Sequence, residues 1–364
     1  MALAPKIFLI YHCSELACYL LKEAKKMASQ TILRDADYNN GHPASLPISS
    51  EISIKEPIPF RDPGYFDPAP FLNEQEIQHF KEVGFIVKRK LIKDKQIFRK
   101  VKDYVWTNVP RSLMERNNPQ TWIEPPEDDW TESDSIKIGH LAHRNWKIRS
   151  KGPNGLGTED FLVKDIANSP DMLKVVRDLI GSPVKPPQRV RGVYCVFPSK
   201  PDSQDKHNVH VDYIPSHITA MVIADEIRPQ CGGFMLWPGS HIELHHYWKT
   251  SHGGGMDPDQ SQKFLRAREQ IIRETTPVEF TGLAGDVVFW HPRALHSAGV
   301  NHSSENGEPL VRIIIPCDFQ LDGLTYVTDE KFGPSDNYQW WIDTRNFEED
   351  NPPSRDNFWE DWAI

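Results

Sequence analysis

The fold is decided by a series of short segments in the second half of the chain: RVRGVYCVF (189–197), ITAMVIA (218–224), GGFMLW (232–237), DVVFW (286–290) and VRIIIPC (311–317). Each segment is rich in Val, Ile and aromatic residues and is bounded by Pro, Gly or Asp, which is typical of β-strands. Because regularly alternating helices do not separate them, they predict an antiparallel sandwich or barrel and not a βαβ fold.

Helices are predicted ahead of these strands. Asn73 can cap a helix within 72–85, a second helix covers 93–106, and a third covers 171–181 with Pro170 in its first turn. We therefore expect a mainly β protein with flanking helices.

The remaining segments indicate the domain organisation. The first 62 residues are predicted to form an N-terminal extension or arm, since residues 28–70 are polar and rich in proline. Residues 63–364 then form a single domain. Insertions near 130–157 and 241–275 are predicted to act as lids that enclose a substrate.

The N-terminus contains an apolar run. Residues 7–21, IFLIYHCSELACYLL, resemble the apolar part of a signal peptide. His12 and Glu15 interrupt the run, and no small-x-small cleavage site follows it before the charged stretch at 22–26. A cytoplasmic protein is therefore expected, with a targeting peptide left open as the alternative.

Composition argues against several classes of function. The 364 residues carry 42 Lys and Arg against 51 Asp and Glu, a net charge of −9, which argues against nucleic acid as a partner. No apolar run approaches the ~18 residues of a membrane span, so no integral membrane association is expected. The signatures GxGxxG, P-loop and GxSxG are not present, so nucleotide binding and serine hydrolysis lack their motifs.

Histidine and carboxylate residues carry the candidate chemistry. In NVHVDY, His210 and Asp212 lie two residues apart, so on a strand both side chains point to one face and can reach one ion. His296 follows a strong strand, and two histidines with one carboxylate on one face form the facial triad of non-haem Fe(II) oxygenases. Arg312, at the start of the next strand, offers a bidentate clamp for a dicarboxylate that chelates the metal at its other end.

Other residues are alternatives for these roles. The pair His241-x-Glu243 and the histidines His291 and His302 are alternative metal ligands, and Arg293 is the alternative to Arg312. His291 directly follows the strand and His302 lies in a polar loop, so His296 is preferred as the second histidine. Arg189 and Arg191 share one face of their strand. They are either surface residues or inward-facing residues that hold an anionic substrate, and the pattern does not decide between the two.

Taken in order, five segments resemble the phytanoyl-CoA dioxygenase family over roughly residues 63–320. They are DPGYFDPAPFLNEQEIQHFKEVGFIV (62–87), HVDYIP (210–215), CGGFMLWPGSH (231–241), GDVVFWHPRALHSAGVNHSS (285–304) and VRIIIPCDF (311–319). Members of this family are non-haem iron and 2-oxoglutarate-dependent oxygenases. The resemblance therefore implies a double-stranded β-helix core, the jelly-roll fold of cupin-like proteins.

The resemblance also implies roles for individual residues. His210, Asp212 and His296 would hold Fe(II) and form the catalytic centre, and Arg312 would bind the distal carboxylate of 2-oxoglutarate. PGSH would be a structural turn, which removes His241 and its neighbouring glutamate as ligands. O₂ is the further co-substrate implied, with ascorbate as a supporting reductant.

The co-substrate site departs from the family pattern in one respect. Arg312 lies sixteen residues after His296, further than is usual, so NHSSENGEP (301–309) is predicted to be a longer hairpin loop. Thr219 is expected to reach a carboxylate of 2-oxoglutarate from the inward face of its strand. Asn208, two residues before His210, is expected to place its amide on the same face.

The function expected from this reading is oxidation of an unactivated C–H bond of a small-molecule metabolite, with release of succinate and CO₂. The outcome would be hydroxylation, cyclisation or desaturation. One alternative is an acyl-CoA 2-hydroxylase of the phytanoyl-CoA type, although no basic track for its pyrophosphate is evident. The other alternative is a non-catalytic, cupin-like metal-binding protein. The sequence gives no indication of the oligomeric state.

Overall fold

The computed structural model describes residues 48, 52–108, 114–123, 136–139, 145–150, 157–201, 203, 207–212, 216–245, 247, 258–305, 307–323, 326–328, 344–347, 359 and 362–364. The apolar run at 7–21, most of the predicted N-terminal extension and much of both predicted insertions lie outside these residues. Among the helices in the described part of the chain, none is long and apolar enough to cross a membrane.

The three predicted helices precede the core strands as expected, and two further helices, Ser240–Leu244 and Pro258–Glu274, lie between core strands within the predicted insertion. The helices are α1 Glu74–Val83, α2 Lys95–Asn108, α3 Asp160–Leu162, α4 Pro170–Ile180, α5 Ser240–Leu244 and α6 Pro258–Glu274, with a 3₁₀ turn at Pro119–Trp122 and a π-helical turn at Val163–Ala167. The strands are β1 Ile58–Pro59, β2 Phe85–Lys88, β3 Ile136–Gly139, β4 Asn145–Ser150, β5 Val184–Lys185, β6 Val193–Val196, β7 Ile218–Ile223, β8 Phe234–Leu236, β9 Val278–Phe280, β10 Val287–Trp290, β11 His296–Ala298, β12 Arg312–Leu321, β13 Tyr326–Thr328 and β14 Thr344–Phe347. The three helices predicted from the sequence are confirmed as α1, α2 and α4.

Two facing sheets form the core. The larger sheet has the order β2-β10-β7-β12-β6-β4-β3, with β5 also paired to β12, and the smaller sheet has the order β1-β9-β8-β11. Segment 207–212 joins the smaller sheet because His210 pairs with His296 of β11. From β6 to β12 the chain thus places β6, β7, β10 and β12 in the larger sheet, and three strands (β8, β9 and β11) with the bridged segment 207–212 in the smaller sheet. This arrangement is the predicted double-stranded β-helix, which is confirmed.

Alternation along the strands divides the core into an inner and an outer layer. Met221, Phe234, Trp290 and Ile314 belong to one buried cluster between the two sheets. The intervening residues of β7 and β12 pack outward against the buried face of α4. Strands β7 and β12 are therefore buried on both faces, and their inner face forms one wall of the barrel.

The entry into the fold is fixed by a buried ion pair. Lys88 Nζ lies 2.6 Å from Glu76 Oε1, and neither side chain is exposed. Lys88 also donates to the carbonyl oxygens of Asp67 and Phe71 at 2.9 and 2.6 Å. The buried ammonium therefore has three acceptors, which tie the segment before α1 to β2.

Helix α6 covers the outer face of the smaller sheet. Phe264 and Ile272 pack in one buried cluster with Val209, Val211 and Leu295. These three sheet residues flank His210 and His296 in sequence, so their side chains lie on the opposite face from the two imidazoles. The described side chains of α6 thus support the strands from behind, and the lid role predicted for 241–275 stays a prediction.

Candidate metal centre

The structure brings together His210, Asp212 and His296, the three residues that the sequence suggested as metal ligands. Asp212 Oδ1 lies 3.7 Å from His210 Nε2 and 3.6 Å from His296 Nε2. One ligand atom from each residue lies within 4.8 Å of the others. Two imidazole nitrogens and one carboxylate oxygen therefore converge on a point where a single cation could sit.

The backbone sets the position of both histidines. His210 N donates to His296 O and His296 N donates to His210 O, each at 2.9 Å. The two residues are directly opposed across an antiparallel pair, and their ring centroids lie 4.4 Å apart. Strand β11 is held in turn by β8, through the pair of His296 with Leu236.

Hydrogen bonds to backbone carbonyls orient the two imidazoles. His210 Nδ1 lies 2.7 Å from Asn208 O, and His296 Nδ1 lies 2.9 Å from Ala294 O. A carbonyl oxygen can only accept, so each Nδ1 carries the proton and each Nε2 presents a lone pair. Both rings are thus held in the tautomer that a metal ligand requires.

A neighbouring arginine dominates the electrostatics of the carboxylate. Arg191 Nη1 lies 2.7 Å from Asp212 Oδ2. Burial by itself would raise the pKa of Asp212, but the Arg191 charge and the two imidazoles outweigh it and hold the pKa well below its usual range. Asp212 is therefore an anion with Oδ1 directed at the histidines.

A second aspartate holds that arginine. Arg191 donates from Nε to Asp318 Oδ2 at 2.8 Å and from Nη2 to Asp318 Oδ1 at 2.6 Å. Thr219, which the sequence suggested as a 2-oxoglutarate contact, donates from Oγ1 to Asp318 Oδ1 at 3.2 Å. The sequence left open where Arg191 points, and the structure places its guanidinium between two carboxylates inside the barrel. Asp318 was not identified from the sequence.

Arg312 lies in the same barrel as a buried cation. Its side chain is 2% exposed, and its Nε and Nη1 have no hydrogen-bond partner among the residues that the structure describes. Burial lowers the pKa of Arg312 to about 10, although Cys195 and Glu279 oppose the shift. Glu279 accepts instead from the backbone of Gln230 and Gly233. An unpaired buried guanidinium is costly, so this position is suited to an anion.

The long loop before β12 is tied at its base. Asn301 Nδ2 donates to Val196 O at 3.0 Å and to Leu310 O at 2.8 Å. Ser303 Oγ accepts from the backbone N–H of Leu310 at 3.0 Å. These bonds close the loop so that Arg312 pairs with Val196 at the start of β12. The sixteen-residue separation from His296 is therefore compatible with an inward-facing Arg312.

The remaining candidates lie outside the metal cluster. His241 donates from Nε2 to Lys81 O at 3.1 Å, His291 accepts from the backbone N–H of Arg293 at 3.1 Å, and His302 pairs with Glu305 at 2.9 Å. None of these histidines belongs to the ligand group found in the described part of the chain. The side chain of Asn208 is exposed, and the residue contributes its carbonyl to His210. Roles of Asn208 and Thr219 toward a co-substrate stay predictions.

The fold and the cluster define a cupin-like jelly-roll protein with a candidate metal centre. The family model for phytanoyl-CoA dioxygenase (PhyH) matches residues 61–306, and the chain belongs to that family. The family predicted from the sequence is thus confirmed. No curated protein matches the chain in sequence.

Solved structures with a similar fold share little sequence with this chain. The non-heme alpha ketoglutarate dependent carbocyclase SnoK from nogalamycin biosynthesis is 16% identical, with 72% of this chain and 89% of that chain covered and a TM-score of 0.44. EctD from S. alaskensis with 2-oxoglutarate and 5-hydroxyectoine is 13% identical, with 85% and 95% covered and a TM-score of 0.44. HygX from Streptomyces hygroscopicus with nickel and 2-oxoglutarate is 11% identical, with 76% and 98% covered and a TM-score of 0.40. At these values the similarity says nothing about the substrate of this chain.

Proposed function

We propose that this protein is an Fe(II)- and 2-oxoglutarate-dependent oxygenase that oxidises an unactivated C–H bond of a small molecule. One observation carries the proposal. The barrel that brings His210, Asp212 and His296 together also holds Arg312 as a buried guanidinium with two nitrogen atoms, Nε and Nη1, that lack an acceptor among the described residues. A metal with three protein ligands and a buried anion site in the same barrel suit a chelating dicarboxylate.

The donor set fits a divalent first-row metal. His210 and His296 would each supply Nε2, and Asp212 would supply Oδ1. Two neutral imidazoles and one carboxylate leave a 2+ ion with a net positive charge and open positions opposite the protein ligands, which is the pattern of non-haem Fe(II) sites. When bound, iron and 2-oxoglutarate would supply oxidation by O₂, with release of succinate and CO₂.

Arg312 would position the co-substrate. Its guanidinium can meet a carboxylate through two parallel N–H···O bonds, which fixes both the distance and the direction of the bound anion. Because the side chain is already buried, the desolvation cost of the cation falls on folding and not on binding. The far carboxylate of 2-oxoglutarate would pair with Arg312, and its other end would face the metal ligands.

Charge favours a small molecule over acyl-CoA as the substrate. The chain has a net charge of −9, and the pyrophosphate of coenzyme A requires clustered Lys or Arg. Arg191, the inward-facing cation nearest the candidate ligands, is already bonded to Asp212 and Asp318. Hydroxylation, cyclisation and desaturation would all use the same ligand set, so the choice among them depends on how the substrate is held.

The competing function is metal binding without catalysis, and one experiment separates the two. Fe(II) and 2-oxoglutarate are added anaerobically to the purified protein, and the visible absorption spectrum is recorded. An oxygenase gives a weak metal-to-ligand charge-transfer band that bleaches on admission of O₂, and it forms succinate. A stable Fe(II) complex with neither the band nor succinate formation would support the binding protein and contradict the proposal. A substrate-dependent succinate assay across a metabolite library then identifies the substrate class.

A further inference from the structure

Arg191 is the central residue of a three-residue ion network on one side of the candidate metal ligands. Its guanidinium contacts Asp212 Oδ2 at 2.7 Å and Asp318 through two bonds of 2.6 and 2.8 Å. The side chains of Arg191, Asp212 and Asp318 are 12%, 14% and 3% exposed. Contacts between charges this well shielded are screened little by solvent, so they act strongly on each other.

The network divides the two oxygens of the ligand carboxylate between different partners. Oδ2 of Asp212 is engaged by Arg191, and Oδ1 faces both imidazoles at 3.6 and 3.7 Å. A carboxylate with both oxygens free can chelate a metal through both of them, which would fill a position needed for other ligands. With Oδ2 engaged, Asp212 can offer one oxygen only.

We propose that Arg191, held by Asp318, is a positioning residue with two effects. It keeps Asp212 a monodentate metal ligand, and it adjusts the affinity of the site for a cation. This inference rests on the proposed function, because it requires that His210, Asp212 and His296 bind a metal. Asp318 anchors the guanidinium through two bonds, and Thr219 supports Asp318 from β7. Arg191 reaches the metal through Asp212 and does not touch it.

The charges of the pair act in opposite directions on a bound cation. Arg191 adds one positive charge beside the ligand carboxylate, and Asp318 adds one negative charge that offsets it. Removal of the Asp318 charge leaves Arg191 to compete with the metal for Asp212. Removal of the Arg191 charge frees Oδ2 and leaves a second carboxylate close to the site. A residue with a merely structural role would weaken metal binding whichever partner was changed.

The test uses Co(II) as the probe, added to the full chain without 2-oxoglutarate, and measures the dissociation constant by titration calorimetry and the coordination by visible absorption. Asp318→Asn is expected to weaken Co(II) binding by about tenfold or more. Arg191→Gln is expected to tighten binding and to change the cobalt absorption bands, since Oδ2 becomes available. The double variant Arg191→Gln/Asp318→Asn, which removes one positive and one negative charge together, is expected to bind with an affinity between those of the two single variants.

Arg89 provides a matched control elsewhere in the fold. Its guanidinium also bridges two aspartates, Asp62 and Asp286, at 2.8 and 2.9 Å, but it lies outside the ligand group. Arg89→Gln should change neither the affinity nor the cobalt spectrum. If both single variants at the network weaken binding, or if neither alters it, the inference is overturned while the metal site stands. If the unaltered chain binds no Co(II), the proposed function and the inference are both overturned.

Discussion

His210 and His296 are an antiparallel backbone pair whose two N–H···O bonds are each 2.9 Å long. The distance between the imidazoles is therefore set by the sheet and not by a flexible loop. Their Nδ1 atoms are bonded to carbonyls of their own chain segments, at Asn208 and Ala294. A site built on paired strands holds its ligands more precisely than a site on loops.

The first prediction concerns Asp212. Asp212→Ala should abolish succinate formation and weaken Co(II) binding by more than about 100-fold, because loss of a group that only hydrogen-bonds to a metal ligand already costs about 10–100-fold. The fold should stay nearly intact, since Arg191 keeps its two bonds to Asp318. Titration calorimetry and thermal unfolding measure the two effects. Ordinary succinate production by Asp212→Ala would contradict the facial-triad assignment.

The control for that substitution is His241, the histidine of the rival HxE pair. Its imidazole is fully buried and donates to Lys81 O at 3.1 Å, outside the ligand group. His241→Gln should keep Fe(II)-dependent activity while it lowers the free energy of unfolding. Loss of metal binding in this variant would show that the cluster had been assigned to the wrong histidine.

The second prediction concerns Arg312. A buried guanidinium paired with a carboxylate is worth ~2–4 kcal/mol, given the cost of leaving one partner unpaired. Arg312→Ala should therefore raise the apparent KM for 2-oxoglutarate by about 30- to 1,000-fold, at ~1.4 kcal/mol per decade. Arg312→Lys should recover part of the loss because it keeps the charge without the forked geometry. Affinity for Fe(II) alone should barely change.

Arg293 serves as the comparison in the same titration. It lies in the turn between β10 and β11, where its backbone N–H donates to His291. Arg293→Ala should leave the KM for 2-oxoglutarate within about threefold of the starting value. A large change for Arg293→Ala together with none for Arg312→Ala would overturn the assignment of the clamp.

The third prediction concerns the loop that precedes β12. Asn301→Ala removes three hydrogen bonds of the side chain, two donated to Val196 O and Leu310 O and one accepted from the backbone N–H of Ser303, and should lower the free energy of unfolding by about 2–4 kcal/mol. The KM for 2-oxoglutarate should also rise, because Val196 is the register partner of Arg312. Urea unfolding and the succinate assay measure these effects.

His302, in the same loop, provides the control. Its side chain is exposed and pairs with Glu305 at 2.9 Å, so His302→Ala should cost less than about 1 kcal/mol. Equal destabilisation by Asn301→Ala and His302→Ala would show that the hydrogen bonds of Asn301 contribute no more to stability than the exposed pair of His302 and Glu305.

The fourth prediction concerns the pH dependence of stability. Burial, and to a smaller extent the charge of Arg293, lowers the pKa of His217 to about 3, and burial lowers the pKa of His241 to about 4. Both values lie below the ~6.5 of an unfolded histidine, so the unfolded state takes up protons first as the pH falls. Stability is full above about pH 6.5 and decreases toward about pH 4, by ~1.4 kcal/mol per pH unit for each histidine.

Urea unfolding over that range measures the slope. His241→Gln should reduce it, since one of the two proton-binding groups is gone. An unfolding free energy that stays constant from about pH 6.5 to about pH 4 would contradict the assignment of two buried neutral histidines.

Much of the fold, and the clustering of the three residues of the candidate metal centre, could be predicted from the sequence because they carry local patterns. Long apolar runs bounded by turn residues mark β7, β10 and β12, and the HxD spacing places His210 and Asp212 on one face. Strands β9 and β11 were not predicted. Each is three residues long and exists because neighbouring strands pair with it, which no local pattern records.

The ion network around Asp212 could not be read from the sequence for a similar reason. Arg191 and Asp318 lie 127 residues apart, and only the pairing of strands brings them together. The alternation of side chains along a strand does give one indication. Asp318 lies on the same inward face of β12 as Arg312, so the pattern predicts a carboxylate inside the barrel. The alternation does not indicate that Arg191 is the residue that pairs with this carboxylate.

Strand β12 carries Arg312 near one end and Asp318 six residues later, on the same face. At ~3.3 Å per residue, this spacing separates their Cα atoms by about 20 Å along the barrel wall. A deletion of two residues between them would leave both side chains facing inward but shorten that separation by about 7 Å. The interval from 312 to 318 therefore sets the spacing between Arg312 and the ion network at Asp318, whereas a change in the length of the loop at 301–309, which precedes Arg312, would leave that spacing unaltered.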